Sequence, residues 1–233
     1  MRIAIISDIH SNQEALKKAL QVIEEKSVDK IICLGDIVGY GANPNECIDI
    51  VRTRCDVVIK GNHEDALENS SVLENFTESA RAAIIWTRRQ ILQENLDYIR
   101  MLPLINKKDD ILFVHSSPDD PAEWNYILDE SDAINALNCF SESICFIGHT
   151  HSPIIYSTNG RAWTVTRDAR FIVNVGSIGQ PRDRNNNLSF GLFDTETWTY
   201  ENVRSAYDVE TTVWKILKAD LPPKLAHRLF LGV

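Results

Sequence analysis

The stretch ICFIGHTH, residues 144–151, is an apolar run that ends at Gly148 and is followed by two histidines, His149 and His151. An uninterrupted apolar run of this kind predicts a β-strand that is buried on both of its faces. The two histidines lie just past the carboxyl end of that strand, and the chain has only six histidines. Ligands of open α/β sheets bind at the carboxyl ends of strands, so the ends of the other strands decide whether this pair belongs to a site.

Four further apolar runs, RIAIIS, KIICLG, VVIKG and ILFV, also end in polar side chains and predict four more buried strands. Five of the six histidines follow one of the five runs, and we interpret the sixth, His227, as structural. The polar residues that follow the runs are Asp8, His10, Asp36, Asn62, His63, His115, His149 and His151. We therefore expect these eight side chains to converge on one rim of the sheet.

The eight side chains are carboxylates, imidazoles and one carboxamide, without a cysteine. This mixture favours divalent transition ions such as manganese, iron or zinc, because magnesium prefers oxygen ligands alone and a thiolate zinc site needs cysteine. Eight candidates exceed what one ion needs, and they suit two ions about 3.5–4 Å apart that share a carboxylate and a bridging hydroxide. The set thus predicts a dinuclear centre for in-line displacement at phosphorus.

The composition of the 233-residue chain limits its class and its partners. A hydrophobic content of 44% suffices for one sizeable core, so we expect a single domain over residues 1–233. The net charge of −9 argues against a nucleic-acid polymer as the main partner, and no apolar stretch approaches the roughly 20 residues of a membrane helix. The N-terminal apolar run is too short for a signal peptide, and five cysteines without a CxxC pair favour reduced thiols and a cytoplasmic location.

Helical patterns alternate with strands in the first two-thirds of the chain. Ser11 to Glu14 has the form of a capping box before a first helix, and Pro44 stands in the first turn of a second. We expect a helical insertion over about residues 64–103 and a helical tail over about residues 208–233. From about residue 153 the pattern changes to strands joined by turns, in PIIYSTNG, RAWTVT, RFIVNVGS and LSFGLFDTETWTYENV.

Taken in order, the motifs D-x-H, G-D, G-N-H-E, H and G-H-x-H resemble those of the calcineurin-like metallophosphoesterase superfamily. They stand here at residues 8–10, 35–36, 61–64, 115 and 148–151. The stretches SDIHSNQEAL, GDIVGYGANPNECI and NVGSIGQPRDRNNN also resemble the small bacterial and archaeal phosphodiesterases of that superfamily. The resemblance implies a four-layer α/β/β/α sandwich with two mixed β-sheets, of which the second comes from the strands after residue 153.

The resemblance also implies a role for each motif residue. It places Asp8, His10 and His151 on a first metal ion and Asn62, His115 and His149 on a second, with Asp36 bridging the two. It leaves His63 outside both coordination spheres, facing the substrate as a proton donor, while Glu64 either tunes His63 or begins the next helix. The implied cofactors are two divalent metal ions, with manganese as our first choice and iron, zinc or nickel as alternatives.

Residues 35–41 depart from the G-D-x-V-D-R-G pattern of the superfamily's protein Ser/Thr phosphatases. Gly39 stands where those enzymes carry the aspartate that pairs with the catalytic histidine, and Tyr40 stands where they carry an arginine that holds phosphate. A tyrosine offers one neutral donor where arginine offers a charged fork. These differences argue against phosphoprotein substrates and against a doubly charged monoester.

Three residues outside the metal motifs, Asn12, Tyr40 and Arg182, are candidate substrate contacts. Asn12 suits the start of a helix equally well. Arg182 and Arg184, in QPRDRNNN, either grip a phosphate or lie on a solvated hairpin tip, and we favour the hairpin tip.

The leading prediction is a dinuclear metal-dependent phosphoesterase, above all a phosphodiesterase that hydrolyses small or nucleotide-type phosphoesters by means of a metal-bridging hydroxide. A phosphomonoesterase and a dinucleoside polyphosphate hydrolase are alternatives on the same site. A third alternative is a metal-poor protein-interaction scaffold of the same fold, as in a retromer subunit. The presence of all eight motif residues, His63 included, argues against the scaffold. The sequence leaves the oligomeric state open.

Overall fold

The β-strands of the computed structural model, which describes all residues 1–233, lie in two sheets. The strands are β1 (Arg2–Ile6), β2 (Lys30–Cys33), β3 (Val57–Val58), β4 (Ile105–Lys108), β5 (Ile111–Val114), β6 (Ile144–Ile147), β7 (Ile154–Ser157), β8 (Gly160–Ala162), β9 (Phe171–Asn174), β10 (Leu188–Asp194) and β11 (Thr199–Ser205). The α-helices are α1 (Gln13–Glu25), α2 (Pro44–Arg54), α3 (Asn62–Asp65), α4 (Ser70–Glu74), α5 (Glu78–Gln90), α6 (Gln93–Arg100), α7 (Glu130–Leu137), α8 (Val209–Lys218) and α9 (Pro223–Leu231). None of these helices combines the length and the apolar character that crossing a membrane requires.

Both sheets are mixed, and each combines three parallel strands with antiparallel ones. The first sheet has the order β11-β10-β1-β2-β3, and the second has the order β4-β5-β6-β9-β7-β8. Strands β1, β2 and β3 run parallel, as do β5, β6 and β9, while the remaining pairs are antiparallel. The parallel strands of each sheet therefore all end on the same side of that sheet.

The alternating side chains of β1 show how the layers are built. Ile3 and Ile5 are fully buried between the two sheets, whereas Ala4 and Ile6 are fully buried against α1 on the outer face of the first sheet. On the outer face of the second sheet, the buried side chains of β5 and β6 pack against α7. The predicted four-layer α/β/β/α sandwich with two mixed sheets is thus confirmed.

The membership of the second sheet differs from the prediction. The strands after residue 153 divide between the sheets: β7, β8 and β9 join the second, but β10 and β11 return to the first, where β10 pairs with β1. The second sheet is completed by β4, β5 and β6. An apolar strand that is buried on both faces carries no local sign of its pairing partner, so the sequence pattern could not assign the strands to sheets.

Several local boundaries also differ from the sequence pattern. The cap of α1 is Asn12 rather than Ser11, since the Asn12 Oδ1 accepts a hydrogen bond from the main-chain N–H of Ala15 at 3.1 Å. The insertion predicted over about residues 64–103 divides into four helices, α3 to α6. Strand β4, whose sequence INKK alternates exposed and half-buried side chains at a sheet edge, escaped prediction because it lacks an apolar run.

The predicted helical tail consists of α8 and α9 and packs against the insertion. Ile216 of α8 and Leu229 of α9 share one buried cluster with Ala83 of α5, and Tyr40 packs against the same cluster. Tyr40 belongs to the loop that follows β2. The tail is therefore held beside a loop that also carries Asp36, one of the predicted metal ligands.

Candidate metal centre

The seven predicted metal ligands lie together where the strand ends of both sheets meet. In the first sheet Asp8 and His10 follow β1, Asp36 follows β2 and Asn62 follows β3, and in the second sheet His115 follows β5 while His149 and His151 follow β6. All seven side chains are buried, with exposed fractions between 0% and 7%. The expected convergence is observed, but the rim belongs to two sheets rather than to one.

Five of these residues hold a left-handed backbone conformation. Their φ angles are +55° for Asp8, +51° for His10, +53° for Asp36, +67° for His149 and +62° for His151. A non-glycine residue in this region costs on the order of 1–3 kcal/mol and persists only where the surroundings hold it. The concentration of such strain at these five positions is typical of a functional site.

The carboxylates and imidazoles form two sets that share Asp36. The first set is Asp8, His10, Asp36 and His151, and the second is Asp36, His115 and His149. Within each set the candidate ligand atoms lie within 4.8 Å of one another. Asn62 joins the second set, because its Oδ1 lies 3.2 Å from the Nε2 of His115.

Main-chain carbonyl groups orient the four imidazole rings. Three of them direct Nδ1 to a carbonyl oxygen: His10 to Val38 at 3.0 Å, His115 to Leu34 at 2.8 Å and His151 to Gln180 at 2.6 Å. A carbonyl can only accept, so Nδ1 carries the proton and Nε2 keeps its lone pair for the centre. His149 is reversed, since its Nε2 donates to the carbonyl of Trp124 at 3.0 Å and leaves Nδ1 for the centre.

Two of these lone pairs face each other in the first set. The Nε2 atoms of His10 and His151 lie 3.1 Å apart, and the Asp8 Oδ1 lies 3.2 Å from the Nε2 of His151. Three acceptors at this distance repel one another unless a cation or a proton lies among them. The residues present therefore fit a metal ion, and the mixed oxygen and nitrogen donors suit a divalent transition metal.

The ionisation of the cluster also suits cation binding. Burial opposes ionisation of both carboxylates, but His151 beside Asp8 and His115 beside Asp36 hold the pKa of each below its ordinary value. Burial lowers the pKa of His149 to about 3 and also lowers that of His151. At His115 the carboxylate of Asp36 outweighs burial and raises the pKa to about 9. Ionised carboxylates and neutral imidazoles are the protonation states in which these groups bind metals, so a proton on His115 would leave on binding.

His63 belongs to neither set. It is 3% exposed, its main-chain N–H donates to the Asp36 Oδ1 at 2.9 Å, and its ring lies 4.6 Å from that of Tyr40 and 4.7 Å from that of Phe76. The Nδ1 is buried without a hydrogen-bond partner, so Nε2 is the nitrogen that a molecule in the adjoining cleft could reach. Burial lowers the pKa of His63 to about 4.

Gly39 leaves the space that the His63 ring occupies. Its φ is +88°, and a Cβ atom at this position would lie 2.1 Å from the Nδ1 of His63. Any side chain here would displace the His63 ring, so the aspartate of the protein phosphatases does not fit this geometry. The departure at Gly39 therefore has a steric reason.

Glu64 lies in the first turn of α3, as one of the two sequence interpretations expected, and its carboxylate also has a wider role. Its buried carboxylate accepts hydrogen bonds from four main-chain N–H groups: those of Asp36 at 2.7 Å, Ile37 at 2.8 Å, Val38 at 3.1 Å and Gly61 at 2.9 Å. It thereby ties the loop after β2 to the loop after β3 and holds Asp36 in place. The only local signal was its position three residues after Gly61, which is that of a capping-box glutamate.

Asn12, a candidate substrate contact, does not line the cleft over the metal centre. The side chain is 2% exposed, its Oδ1 also accepts from the Thr212 hydroxyl at 3.0 Å, and its Nδ2 donates to the carbonyl of Gly179 at 2.9 Å. Together with the cap of α1, these bonds occupy both ends of the amide. The helix-start interpretation of Asn12 is the correct one.

Arg182 lies in the cleft rather than on a hairpin tip. Strands β9 and β10 belong to different sheets, so the loop between them crosses the site instead of closing a hairpin. The half-buried Arg182 donates through Nη2 to the Tyr40 hydroxyl at 3.2 Å and to the Gln180 Oε1 at 2.9 Å. Arg184, in contrast, is exposed. The hairpin-tip interpretation is therefore wrong for the loop.

A cleft of about 200 Å³ opens over the metal centre, and its lining includes residues that sequence reasoning missed. Phe76 reaches it from the insertion, Tyr126 stacks on His149 with ring centroids 3.8 Å apart, and Arg228 reaches it from α9. These residues stand outside every motif and far apart in sequence, so no local pattern marked them.

Comparison with known proteins agrees with this architecture. Residues 1–198 match the calcineurin-like phosphoesterase superfamily domain. The chain is 39% identical over 240 residues to an uncharacterized protein of Methanocaldococcus jannaschii, with 99% of this chain and 98% of that protein covered. It superposes on a metallophosphoesterase from Sphaerobacter thermophilus with a TM-score of 0.89 at 35% identity, covering 100% of this chain and 99% of that one. A hypothetical protein from Pyrococcus horikoshii OT3 shares the fold, with a TM-score of 0.81, 21% identity and coverage of 100% and 98%. By its sequence and its fold alike, this chain belongs to the calcineurin-like phosphoesterase superfamily.

Proposed function

We propose that the protein is a dinuclear metal-dependent phosphodiesterase that hydrolyses small or nucleotide-type phosphoesters. The observation that carries the proposal is the position of Asp36, which is common to both sets of candidate ligands. A carboxylate shared by two sets is the arrangement of a two-metal site for displacement at phosphorus. Two divalent cations, with manganese as our first choice, would polarise the phosphoryl group and lower the pKa of a bound water.

The protein's own residues hold and surround that centre. Asp8, His10 and His151 would hold one cation, and Asn62, His115 and His149 would hold the other, while Asp36 would be common to both. The carbonyl groups behind the rings fix which nitrogen faces the centre, so the ligands are oriented before a cation arrives. The cleft above the centre gives access to a small phosphoester.

His63 donates the proton that the leaving oxygen takes. Its ring lines the cleft, and its main-chain bond to Asp36 holds it beside the centre without making it a ligand. Burial lowers the pKa of His63 to about 4, so the ring is neutral in the metal-free protein at neutral pH. The negative charge of a phosphoester beside the ring favours the protonated form, so the proton is taken up together with the substrate.

A substrate panel tests the proposal. The purified protein is stripped with a chelator, reloaded with manganese, nickel, zinc or magnesium in turn, and assayed on bis-p-nitrophenyl phosphate, p-nitrophenyl phosphate and a set of nucleotides. We expect about two metal ions per chain by elemental analysis and faster hydrolysis of the diester than of the monoester. Asp36→Asn is the matched control, and it should lose both metal and activity.

The other outcomes separate the alternatives. Faster hydrolysis of the monoester identifies a phosphomonoesterase, and a preference for dinucleoside polyphosphates identifies a hydrolase of that class. A protein with neither bound metal nor activity supports the interaction scaffold. We also propose a cytoplasmic location, which the five unpaired cysteines favour.

A further inference from the structure

Two arginines, Arg182 and Arg228, line the cleft over the metal centre. Arg182 comes from the loop between β9 and β10, and Arg228 comes from α9, so only the packing of the tail brings them together. No carboxylate side chain lies within 4.0 Å of either guanidinium nitrogen. The Nε of Arg182 is buried without any hydrogen-bond partner, whereas the Nε of Arg228 donates to an oxygen of Val233, the last residue of the chain.

The buried, unpartnered Nε of Arg182 carries a cost that a bound anion would remove. Burial and the charge of Arg182 lower the pKa of Arg228 to about 10, so Arg228 is still charged at neutral pH. Two neighbouring cations that are partly withdrawn from water repel each other and lose hydration. A bound anion would relieve both effects, and the planar guanidinium fork matches the oxygens of a phosphoryl group.

The arginine pair adjoins the metal centre but is not part of it. Arg182 lines the same cleft as His63 and His151, and the Tyr40 hydroxyl accepts a hydrogen bond from it at 3.2 Å. Arg228 lines this cleft together with Arg182 and Tyr40. An anion gripped by both guanidinium groups would therefore sit next to the phosphorus over the metals rather than in its place.

We propose that Arg182 and Arg228 form a second anion subsite, which binds a phosphoryl group of the substrate other than the one that is hydrolysed. The inference rests on the proposed phosphodiesterase function and adds the substrate class: a phosphoester that carries a further phosphate, such as a phosphorylated nucleotide. The superfamily match ends at residue 198, so Arg228 lies outside it. The tail thus contributes to substrate choice as well as to packing.

Equilibrium dialysis tests the subsite without any catalysis. Metal-free protein in chelator is dialysed against radiolabelled inorganic phosphate, a condition in which the carboxylates of the empty metal centre repel the probe. Arg182→Gln and Arg228→Gln should each weaken phosphate binding by about 10-fold or more, because each removes a charged hydrogen-bond donor. Lys224→Gln, an exposed position one turn earlier on α9, is the matched control and should bind as the wild type does. Thermal unfolding of each variant identifies any loss of the fold.

A pair of substrates then tests whether the bound group is a second phosphate. The p-nitrophenyl ester of thymidine 5′-phosphate is compared with the same ester carrying a 3′-phosphate, so the leaving group is constant. The wild type should have a higher kcat/KM on the 3′-phosphorylated ester than on the unphosphorylated one. Each arginine variant should lower the ratio of these two kcat/KM values by about 10-fold. The double variant should lose less than the product of the single effects, since both groups bind one phosphate.

Distinct results overturn distinct claims. Unchanged phosphate binding in the arginine variants overturns the subsite itself. Weaker phosphate binding with an equal loss of kcat/KM on both esters means that the arginines hold the hydrolysed phosphate, and this overturns the second-phosphate assignment. A wild-type kcat/KM on the 3′-phosphorylated ester that does not exceed that on the unphosphorylated ester also overturns it. If neither ester is hydrolysed with any metal, the proposed function fails, and the dialysis result still decides the subsite.

Discussion

At the scale of single residues, His63 is distinguished from the histidines around it by what it lacks. The four candidate ligand rings are each anchored by a main-chain carbonyl, whereas the Nδ1 of His63 is buried without a partner. An anchored ring is oriented for a cation, and an unanchored ring beside the cleft is free to exchange a proton. This difference motivates the first prediction.

His63→Ala should retain both metal ions and lose activity in proportion to the difficulty of the leaving group. A general acid contributes on the order of 10²–10⁴-fold, and its help matters most when the leaving oxygen is a poor one. We expect a large loss on an alkyl phosphodiester or a nucleotide and a distinctly smaller loss on a p-nitrophenyl ester. Steady-state rates on both substrates, with elemental analysis of the metal, check this. Equal losses on both, or a fall in bound metal, would contradict the proton-donor role.

Gly39→Ala should resemble His63→Ala in its kinetics. The added Cβ would lie 2.1 Å from the His63 Nδ1, so the ring must move while the metal ligands stay in place. We expect kcat on an alkyl phosphodiester to fall by at least about 10-fold, with full metal content. Gly160→Ala is the control, since Gly160 also has a positive φ of +97° but its Cβ would meet only the flexible Glu130 side chain. If both variants lose kcat equally, backbone strain rather than His63 is responsible.

At the scale of elements, α9 connects the stability of the tail to the shape of the cleft. One face of the helix, which includes Leu225 and Leu229, is buried against α5 and α8, and Arg228 stands between these positions facing the cleft. Apolar burial therefore fixes the helix that carries a charged cleft residue. The same helix also offers a matched pair of leucines.

Leu229→Ala should lower the free energy of unfolding by about 2–5 kcal/mol, whereas Leu231→Ala should change it by less than about 0.5 kcal/mol. Leu229 is 4% exposed and its truncation leaves a cavity, but Leu231 is 63% exposed and its side chain lies largely in water. Urea unfolding of the two variants measures both values. Equal effects would mean that α9 does not pack as described.

At the scale of the whole molecule, the candidate metal centre joins the two sheets. The first sheet contributes Asp8, His10, Asp36 and Asn62, while the second contributes His115, His149 and His151. A ligand that binds the folded state but not the unfolded chain stabilises the fold, by about 2.7 kcal/mol at a concentration 100 times its Kd. Metal ions should therefore act as a link between the sheets.

Adding manganese to the metal-free protein at 100 times its Kd should raise Tm by roughly 5–10 °C, given about 2–4 °C per kcal/mol for a chain of this size. Asp36→Asn, which removes the shared ligand, should show little or no rise. Differential scanning calorimetry with and without chelator measures the shift. An unchanged Tm in the wild type, or the same rise in the variant, would show that the two sheets are not joined through this site.

Much of the fold and of the metal centre could be predicted from the sequence, because both depend on local patterns. Four of the five apolar runs marked a buried strand, while VVIKG gave only the short, half-buried edge strand β3. The residues just past the strand ends stood at a sheet rim by geometry alone. The order of the motifs, from Asp8 to His151, sufficed for the superfamily and hence for the four layers. The side chain and its strand are neighbours in the chain, so the signal stayed within a few residues.

What only the tertiary structure decided depends on contacts between distant segments. The pairing of β10 with β1, the tie from Glu64 to the loop after β2, and the meeting of Arg182 with Arg228 each join parts of the chain whose local patterns carry no mark of the partner. Apolar burial is not directional, so the pattern says that a strand or helix is buried but not against what. The ligands of the proposed metal ions could therefore be predicted from the sequence. The residues that line the cleft, in contrast, are brought there by the packing of the tail and the insertion.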